Sequence, residues 1–594
     1  MSLAPASTER AATPPAIQWG AVAALGIAFG LLVVERYTAV QIFDGEDAHM
    51  FARVQAWLSG GEMPFRTGPI GPLPFHHGPM YYWVLAPIMA ISPDPAWVRA
   101  VYVGLQIGAA TLIFALLRQA TTWPIALLAA ASLLFSRFYF EVSRQLWHAS
   151  LLPVFIAGSL FFSARLLADA RRRDGLAAAA CAAIALQLHV TALPYAAVAG
   201  LAALWRRKDL GVRGVLTIGL AGVLVALPIQ IGAVQVLLEG RPLPPEATMI
   251  GGSSGLGPLE VVQYLAAHLG PAFDGWLSGA LNLVIPLLVL CGLIAAAVER
   301  KPLAVLMAVA VGIGLVFELR LLAHDDAPRY LNPNIYPCFV LMALGLDWLR
   351  RIAPAGGALV GPLVLAVSGL LALDALLAPV PPTDWPAMTA GDQRAVARAV
   401  GPALPGLEAA QGRVHGTYLT DQPRLVGVGY FHQLFGGLDS EAEVPAGAHV
   451  LVSDAAVTPY GQVLSTEAVA GTDHTYQVVV FRPHLDWSRA VVEGPAGAQI
   501  LERWTIENDN LQEPATHTIE VPTSAGGRLH VLVRSMNDVE CPLVVALDER
   551  RIPAQDGPAL GGGQLRTLAF NLPGPGLVRL VLGPCMSPPR LDLF

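Results

Sequence analysis

Three carboxylic acids, Asp44, Glu46 and Asp47, stand close together in an early polar segment. Apolar residues with the spacing of one helical face follow at positions 50–58. Asp44 is also a plausible N-cap, with Asp47 at the third helical position. Acids beside a bilayer lose hydration, and this raises their pKa toward values suited to a general base. Each of the three is therefore a candidate base for deprotonating a hydroxyl or an amine.

A second motif follows a Gly/Pro-rich turn and combines histidines with aromatic residues. His76, His77 and Tyr81 belong to the run FHHGPMYYW at 75–83. An aromatic belt at a membrane surface accounts for the tyrosines and the tryptophan, but less well for the histidines. Paired histidines near several acids could also bind a divalent ion, although adjacent spacing is not diagnostic. No cofactor is certain, and a divalent metal stays an open alternative.

Three later segments add ionisable residues on the side of the membrane where the predicted topology places the first two motifs. They contribute Arg144 with His148, then His189, then Arg329 with Tyr330. Ionisable residues at membrane depth are candidates for function, although snorkelling or ion pairing explains any single arginine equally well. Arginine and histidine suit a lipid phosphate, and aromatic rings suit a sugar face or a prenyl chain. The combination predicts transfer of a sugar from a polyprenyl-phosphate carrier.

The composition indicates the elements that position these residues. Of 594 residues, 54% are hydrophobic and 14% are charged, with a mean hydropathy of +0.54. Soluble domains carry about 25% charged residues, so a soluble protein is excluded. The net charge of −7 gives no support to a nucleic-acid partner. Residues 1–382 hold 21 acids and 23 bases, whereas the shorter segment 383–594 holds 23 acids and 14 bases. This contrast predicts a membrane domain over 1–382.

The apolar runs predict about eleven transmembrane helices in that domain. Basic residues cluster in alternate loops, which predicts a cytoplasmic N-terminus and an extracytoplasmic C-terminal region in a bacterial inner or plasma membrane. The acids and the histidine pair then lie in a first outer loop, 37–96. The predicted spans are 17–36, 97–117, 122–136, 149–168, 175–188, 190–205, 214–238, 277–298, 302–320, 330–349 and 356–379; the pair within 175–205 is short and could be one broken helix.

The C-terminal region is predicted to contain two parts. Residues 383–484 mix a helical stretch with short apolar strands, which indicates an α/β subdomain. Residues 485–594 alternate as strands between Gly and Pro, which indicates a β-sandwich-like subdomain. Cys541 and Cys585 fall in this predicted oxidising compartment and could form a disulfide.

The chain resembles polytopic GT-C glycosyltransferases of the protein O-mannosyltransferase and lipid A aminoarabinose transferase type. Five stretches carry the resemblance in the family's order: FDGEDAHM at 43–50, GPIGPLPFHHGPMYYW at 68–83, SRQLWHASLLP at 143–153, ALQLHVTAL at 185–193 and PRYLNPNIYP at 328–337. The resemblance implies a catalytic acid in the first outer loop and a lipid-phosphate contact at Arg329. The family's usual acid pair is here Glu46-Asp47 in reversed order, so the catalytic acid stays open among three.

Three hypotheses follow from the sequence. The leading one is an inverting glycosyltransferase of cell-envelope glycan synthesis, with a polyprenyl-phosphate sugar as donor and a lipid, glycan or protein as acceptor. The second is a membrane transporter or lipid flippase, which a helix broken near residue 189 would suit. The third is a non-catalytic membrane scaffold whose outer β domain binds partners or glycan.

Overall fold

The fold is described from a computed structural model of the full chain. It describes residues 13–37, 45–64, 78–136, 139, 146, 148–238, 278–321, 335–377, 414–416, 449–453, 460–469, 476–485, 491–494, 497–500, 515–534, 543–548, 550–553, 555–559, 565–585 and 590–593. By internal contacts the chain divides into two compact units. The first comprises Met1–Thr38 and Met50–Pro381, and the second comprises Ala39–His49 and Pro382–Phe594.

The first 377 residues are helical wherever the structure describes them, apart from short turns. The α-helices are α1 (Pro15–Tyr37), α2 (Gly45–Leu58), α3 (Met80–Ile91), α4 (Pro95–Leu117), α5 (Trp123–Leu134), α6 (Leu152–Asp169), α7 (Arg172–Leu188), α8 (Leu193–Trp205), α9 (Arg207–Leu238), α10 (Ser278–Glu299), α11 (Pro302–Leu321), α12 (Ile335–Ile352) and α13 (Pro354–Leu377). Two 3₁₀ turns, His148–Leu151 and Val190–Ala192, precede α6 and α8.

Several of these helices are apolar enough to cross a bilayer. Within the described residues, four segments reach the length of a full span: Pro15–Val33, Pro95–Leu117, Leu152–Asp169 and Arg207–Pro228. Further helices are equally apolar but shorter, such as Trp123–Leu134 and Val190–Trp205. The protein is therefore an integral membrane protein of helical type. The expected number of about eleven spans is not confirmed.

Helices α6, α7 and α8 are consecutive antiparallel helices joined by short turns. Ala170 adopts a left-handed conformation (φ 54°) directly after α6, and this tight turn lets α7 begin at Arg172. His189 is extended (φ −159°, ψ 135°) and ends α7, after which the chain turns back into α8. The guanidinium of Arg206 then donates to the Ala168 carbonyl at 3.4 Å, so the end of α8 returns to the end of α6. The segment 175–205 is thus two antiparallel helices with a break between them.

The C-terminal unit is built from β-strands wherever the structure describes it. The strands are β1 (Val414–Gly416), β2 (His449–Ser453), β3 (Gly461–Val469), β4 (Tyr476–Pro483), β5 (Val491–Gly494), β6 (Gly497–Ile500), β7 (Ala515–Thr523), β8 (Gly527–Arg534), β9 (Leu543–Leu547), β10 (Arg550–Ile552), β11 (Gln555–Ala559), β12 (Leu565–Leu572), β13 (Gly576–Cys585) and β14 (Arg590–Leu593).

These strands form three sheets with the orders β1-β2-β4-β3, β10-β9-β13-β7-β5-β6 and β11-β12-β8-β14. The β1–β2 pair is parallel, and the remaining pairs of the first sheet are antiparallel. Alternate residues of the second and third sheets are buried, including Val521, Leu529, Val578 and Leu580, as in a two-sheet sandwich. Burial raises the pKa of the Tyr460 hydroxyl, and its hydrogen bond with Thr523 partly offsets this.

Several expectations for this unit stay predictions. The helical stretch expected within 383–484 lies outside the described residues, so the mixed α/β character of that segment is not confirmed. Cys541 also lies outside them, and only the backbone of Cys585, in β13, is described. The disulfide between them and the limits 1–382, 383–484 and 485–594 are therefore untested.

Candidate functional site

The predicted site residues divide into those the structure describes and those it does not. Tyr81, His148 and His189 are described with their side chains, and Glu46 and Asp47 only as backbone positions near the start of α2. The others lie outside the described residues: Asp44, His76, His77, Arg144, Arg329 and Tyr330. The site can thus be built only around the first three.

Tyr81, His148 and His189 come together although they are distant in sequence. The imidazole rings of His148 and His189 are nearly parallel (12°), with centroids 5.6 Å apart. The Tyr81 ring stands edge-on to His148, with centroids 6.3 Å apart, and its hydroxyl donates to the Leu146 carbonyl. All three side chains are buried, with exposed fractions of 7% or less. They form an aromatic and imidazole cluster, which we call the His–Tyr cluster.

The helices explain why these residues meet. His148 lies just before α6 and His189 just after α7, and these helices form an antiparallel hairpin. Both histidines are therefore at the same end of the hairpin, opposite the turn at 170–171. Tyr81 is in the first turn of α3, which packs against α7. Three segments within positions 81–189 thus supply one cluster.

The His189 ring is fixed by the turn between α7 and α8, where this residue lies. Its Nδ1 lies 2.7 Å from the Thr191 hydroxyl and accepts the Thr191 backbone N–H at 3.3 Å, so His189 caps the 3₁₀ turn before α8. Because Nδ1 accepts a hydrogen bond, the neutral ring carries its proton on Nε2. The Nε2–H of this neutral ring is a hydrogen-bond donor that suits a phosphate oxygen.

Gln187 connects the first loop to this break. The Gly78 backbone N–H donates to the Gln187 carbonyl at 3.0 Å, and the Gln187 side-chain amide donates to the Val225 carbonyl of α9 at 2.6 Å. A Cβ at Gly78 would lie 2.7–2.9 Å from the Gln187 side chain. Only glycine fits at position 78, because any larger side chain would overlap that of Gln187. Gln187 was not selected as a site residue from the sequence, although it stands in the same run as His189.

We expect Gly78→Ala to lower the turnover of the reaction proposed below by about ten- to a hundredfold, because displacing a positioned loop by about 1 Å has effects of that size. Gly104→Ala in α4 is the matched control, because nothing lies within 4 Å of a Cβ there. The measurement is kcat and KM in detergent, together with the melting temperature. Equal kcat in the two variants would show that the Gly78–Gln187 contact does not position the loop.

A second buried group of polar residues lies around Tyr139. Its hydroxyl donates to the Gln106 backbone carbonyl at 2.9 Å, and its ring lies 6.4 Å from that of Tyr336 in α12. Gln106 is fully buried. Tyr139 and Tyr336 belong to sequence stretches rich in ionisable residues, but neither was a predicted site residue. The sequence around Tyr139 has no periodic apolar pattern, so it could not predict the contacts of Tyr139 with Gln106 and Tyr336.

A metal-ion site finds no support among the described side chains. No group of three or more His, Cys, Asp or Glu residues in that part of the chain is arranged to hold a metal ion. The histidine pair at 76–77 lies outside the described residues, so the divalent-metal alternative stays untested.

Comparison with protein families identifies the membrane part of the chain. Residues 76–231 match the family model described as dolichyl-phosphate-mannose-protein mannosyltransferase. The match extends from the paired histidines into α9, and it includes Gly78, the His–Tyr cluster and Gln187. Over these residues the chain is similar to membrane glycosyltransferases of that family. The comparison with curated protein sequences found no match to the chain.

The solved structures similar to this chain are remote in sequence. ArnT from Cupriavidus metallidurans, described as bound to undecaprenyl phosphate, is 14% identical with a TM-score of 0.47, covering 79% of this chain and 98% of ArnT. The arabinosyltransferase EmbB from Mycobacterium smegmatis is 14% identical with a TM-score of 0.39, covering 99% and 65%. The Archaeoglobus fulgidus oligosaccharyltransferase, in complex with Zn and sulfate, is 12% identical with a TM-score of 0.44, covering 73% and 68%.

Proposed function

We propose that this protein moves a sugar from a polyprenyl-phosphate carrier to a lipid, glycan or protein acceptor on the extracytoplasmic side of the membrane. The observation that carries the proposal is the His–Tyr cluster, inside the segment that matches the mannosyltransferase family. Imidazole N–H groups can donate hydrogen bonds to the phosphate of the donor. The Gly78–Gln187 contact supports a first loop held beside this cluster.

A carboxylate of the first loop is proposed as the general base, and the helix favours Asp47. Position 47 precedes Met50, Phe51 and Val54 by three, four and seven residues, so it shares their helical face. Those three side chains are buried. Position 46 is rotated about 100° from that face. A carboxylate in an apolar environment is a stronger base, so the proposal takes position 47 before position 46 as the base.

The proposed reaction is a single displacement at the anomeric carbon. The carboxylate takes the proton of the acceptor hydroxyl or amine, and the acceptor atom forms a bond to the anomeric carbon on the face opposite the phosphate. The bond between that carbon and the phosphate oxygen breaks, and its electron pair leaves with polyprenyl phosphate. Attack from the opposite face inverts the anomeric configuration. Cationic side chains, with Arg329 as the first candidate, stabilise the departing phosphate.

The test is a transfer assay with the purified full chain in liposomes. Polyprenyl-phosphate sugars differing in the sugar are supplied with candidate acceptors, and product and released polyprenyl phosphate are quantified. We expect stoichiometric release of polyprenyl phosphate with product of inverted anomeric configuration. Retention of configuration would contradict single displacement, and transfer only from nucleotide sugars would contradict the lipid donor.

We expect Arg329→Gln to raise the KM for the lipid donor about tenfold or more and Arg329→Lys to restore part of the loss, because lysine keeps the charge but not bidentate pairing. Arg118→Gln, in the turn after α4, removes one charge elsewhere and is the control. Donor-concentration series at fixed acceptor give the KM. An unchanged donor KM in Arg329→Gln would remove this residue from the phosphate site.

A transporter or flippase is the second candidate because the segment 175–205 is interrupted at His189, between α7 and α8, and interrupted helices line transport sites. Vesicles loaded with the carrier lipid separate the two functions. Movement of the lipid across the bilayer without sugar transfer would favour the flippase, and transfer without net movement favours the enzyme.

A further inference from the structure

We propose that the starts of α7 and α9, which follow the turns after α6 and α8, form a binding site for the headgroup of an anionic phospholipid. The site is a set of five cationic residues, which we call the basic edge: Arg172, Arg173, Arg207, Lys208 and Arg213. It lies at the end of the α6–α7 hairpin opposite the His–Tyr cluster. It is therefore separate from the proposed transfer site.

The two turns lie side by side. Arg206 donates to the Ala168 carbonyl at 3.4 Å and pairs with Asp209 at 3.2 Å, which ties the start of α9 to the end of α6. At the start of α7, a Cβ on Gly175 would lie 2.4 Å from the Ile218 side chain, so α7 and α9 are in close contact there. The cations of both turns are thus held along one edge.

The charge of the basic edge is not compensated by any acid in the part of the chain that the structure describes. All five side chains are exposed, and none forms an ion pair with a described acid. Nearby acids are already engaged: Asp169 pairs with Arg171 at 3.5 Å and Asp174 with Arg165 at 3.5 Å. Five cations in two adjacent turns produce a positive potential that attracts anions from the surroundings.

An apolar surface continues directly from these cations. Trp205 is 48% exposed, just before Arg207, and Val212 and Leu216 of α9 are 75% and 66% exposed. Only 17% of the apolar window of α9 is buried, the smallest share among the four long apolar helices. In a membrane such a surface contacts acyl chains, and tryptophan favours the headgroup level.

The combination identifies the ligand class. A free phosphate would use the cations but not the apolar surface, and a zwitterionic lipid would use the apolar surface with little benefit from the excess charge. An anionic phospholipid uses both, with its phosphate at the basic edge and its chains along α9. We therefore expect this lipid to remain bound when the protein is extracted from the membrane.

The test compares Arg172→Gln/Arg173→Gln/Arg207→Gln with Arg528→Gln/Arg550→Gln/Arg551→Gln. The second variant removes three exposed arginines from the β-strand unit and is matched in charge. Full-length proteins are incubated in detergent with phosphatidylglycerol, phosphatidylcholine or inorganic phosphate, and retained lipid is counted by native mass spectrometry. Melting temperatures are recorded with each additive.

We expect the wild type and the control to retain phosphatidylglycerol in preference to phosphatidylcholine. The basic-edge variant should retain at least about tenfold less, since each surface cation contributes severalfold to attraction for anionic lipid. Inorganic phosphate should not raise the melting temperature as phosphatidylglycerol does. Equal retention of both lipids by the wild type, equal loss in both variants, or protection by inorganic phosphate alone would overturn the proposal. If the triple variant has a lowered melting temperature, the lipid retained by Arg172→Gln/Arg173→Gln is compared with that retained by Arg550→Gln/Arg551→Gln. We expect the first of these double variants to lose part of the binding and the second to keep it.

Discussion

Asp47→Asn is expected to lower sugar transfer about a thousandfold or more while the protein still inserts and binds the carrier lipid. An amide of the same size cannot take the proton from the hydroxyl or amine of the acceptor substrate. General bases contribute a factor of about 10²–10⁴ in rate. Glu46→Gln and Asp44→Asn are measured in parallel. Because positions 46 and 47 are about 100° apart on α2, we expect the two variants to differ strongly.

The control is Glu62→Gln, which removes an exposed carboxylate shortly after the same helix. Initial rates under saturating donor and acceptor, with donor binding measured separately, distinguish loss of chemistry from loss of binding. Full activity in all three acid variants would exclude a first-loop base. Loss of activity only in Glu46→Gln would identify Glu46 as the general base. It would also show that sharing a helical face with Met50, Phe51 and Val54 does not predict which acid is the base.

Gly345→Ala is expected to destabilise the membrane part by about 3 kcal/mol or more, at the upper end of the range for overpacking. A Cβ on Gly345 would lie 2.2 Å from the Leu288 carbonyl oxygen, and one on Gly292 would lie 2.2 Å from the Leu341 carbonyl oxygen. These neighbours are backbone atoms, so α10 and α12 would have to separate. Small residues permit close helix approach in membranes, where packing replaces the hydrophobic driving force.

Gly312→Ala in α11 and Gly361→Ala in α13 are the controls, because nothing lies within 4 Å of a Cβ at either position. Melting in detergent and the monodisperse fraction after heating are the measurements. We expect both controls to melt at or above the wild-type temperature, since alanine favours helices over glycine. Equal melting of Gly345→Ala and Gly312→Ala would mean that the α10–α12 contact is looser than described.

The sequence by itself determined the class of this protein. A charged fraction of 14%, divided unevenly along the chain, predicted a bilayer environment for the N-terminal part of the chain. Strands such as β2, β7 and β9 were predictable because alternation of apolar residues has a period of two, a local property. The order of five short motifs was enough to indicate a resemblance to GT-C glycosyltransferases, and residues 76–231 match a family model of mannosyltransferases.

Tertiary structure decided which residues act together. The convergence of Tyr81, His148 and His189 depends on the hairpin of α6 and α7 and on a helix break, and neither leaves a periodic pattern. Gln187 was not recognised because its role is to fill the space beside a glycine 109 residues earlier, and sequence spacing does not encode that distance. The basic edge shows the same contrast. Its cations are evident in the sequence as loop charges, but only the folded turns place them together beside an exposed apolar helix, because α8 returns the chain to the end of α6.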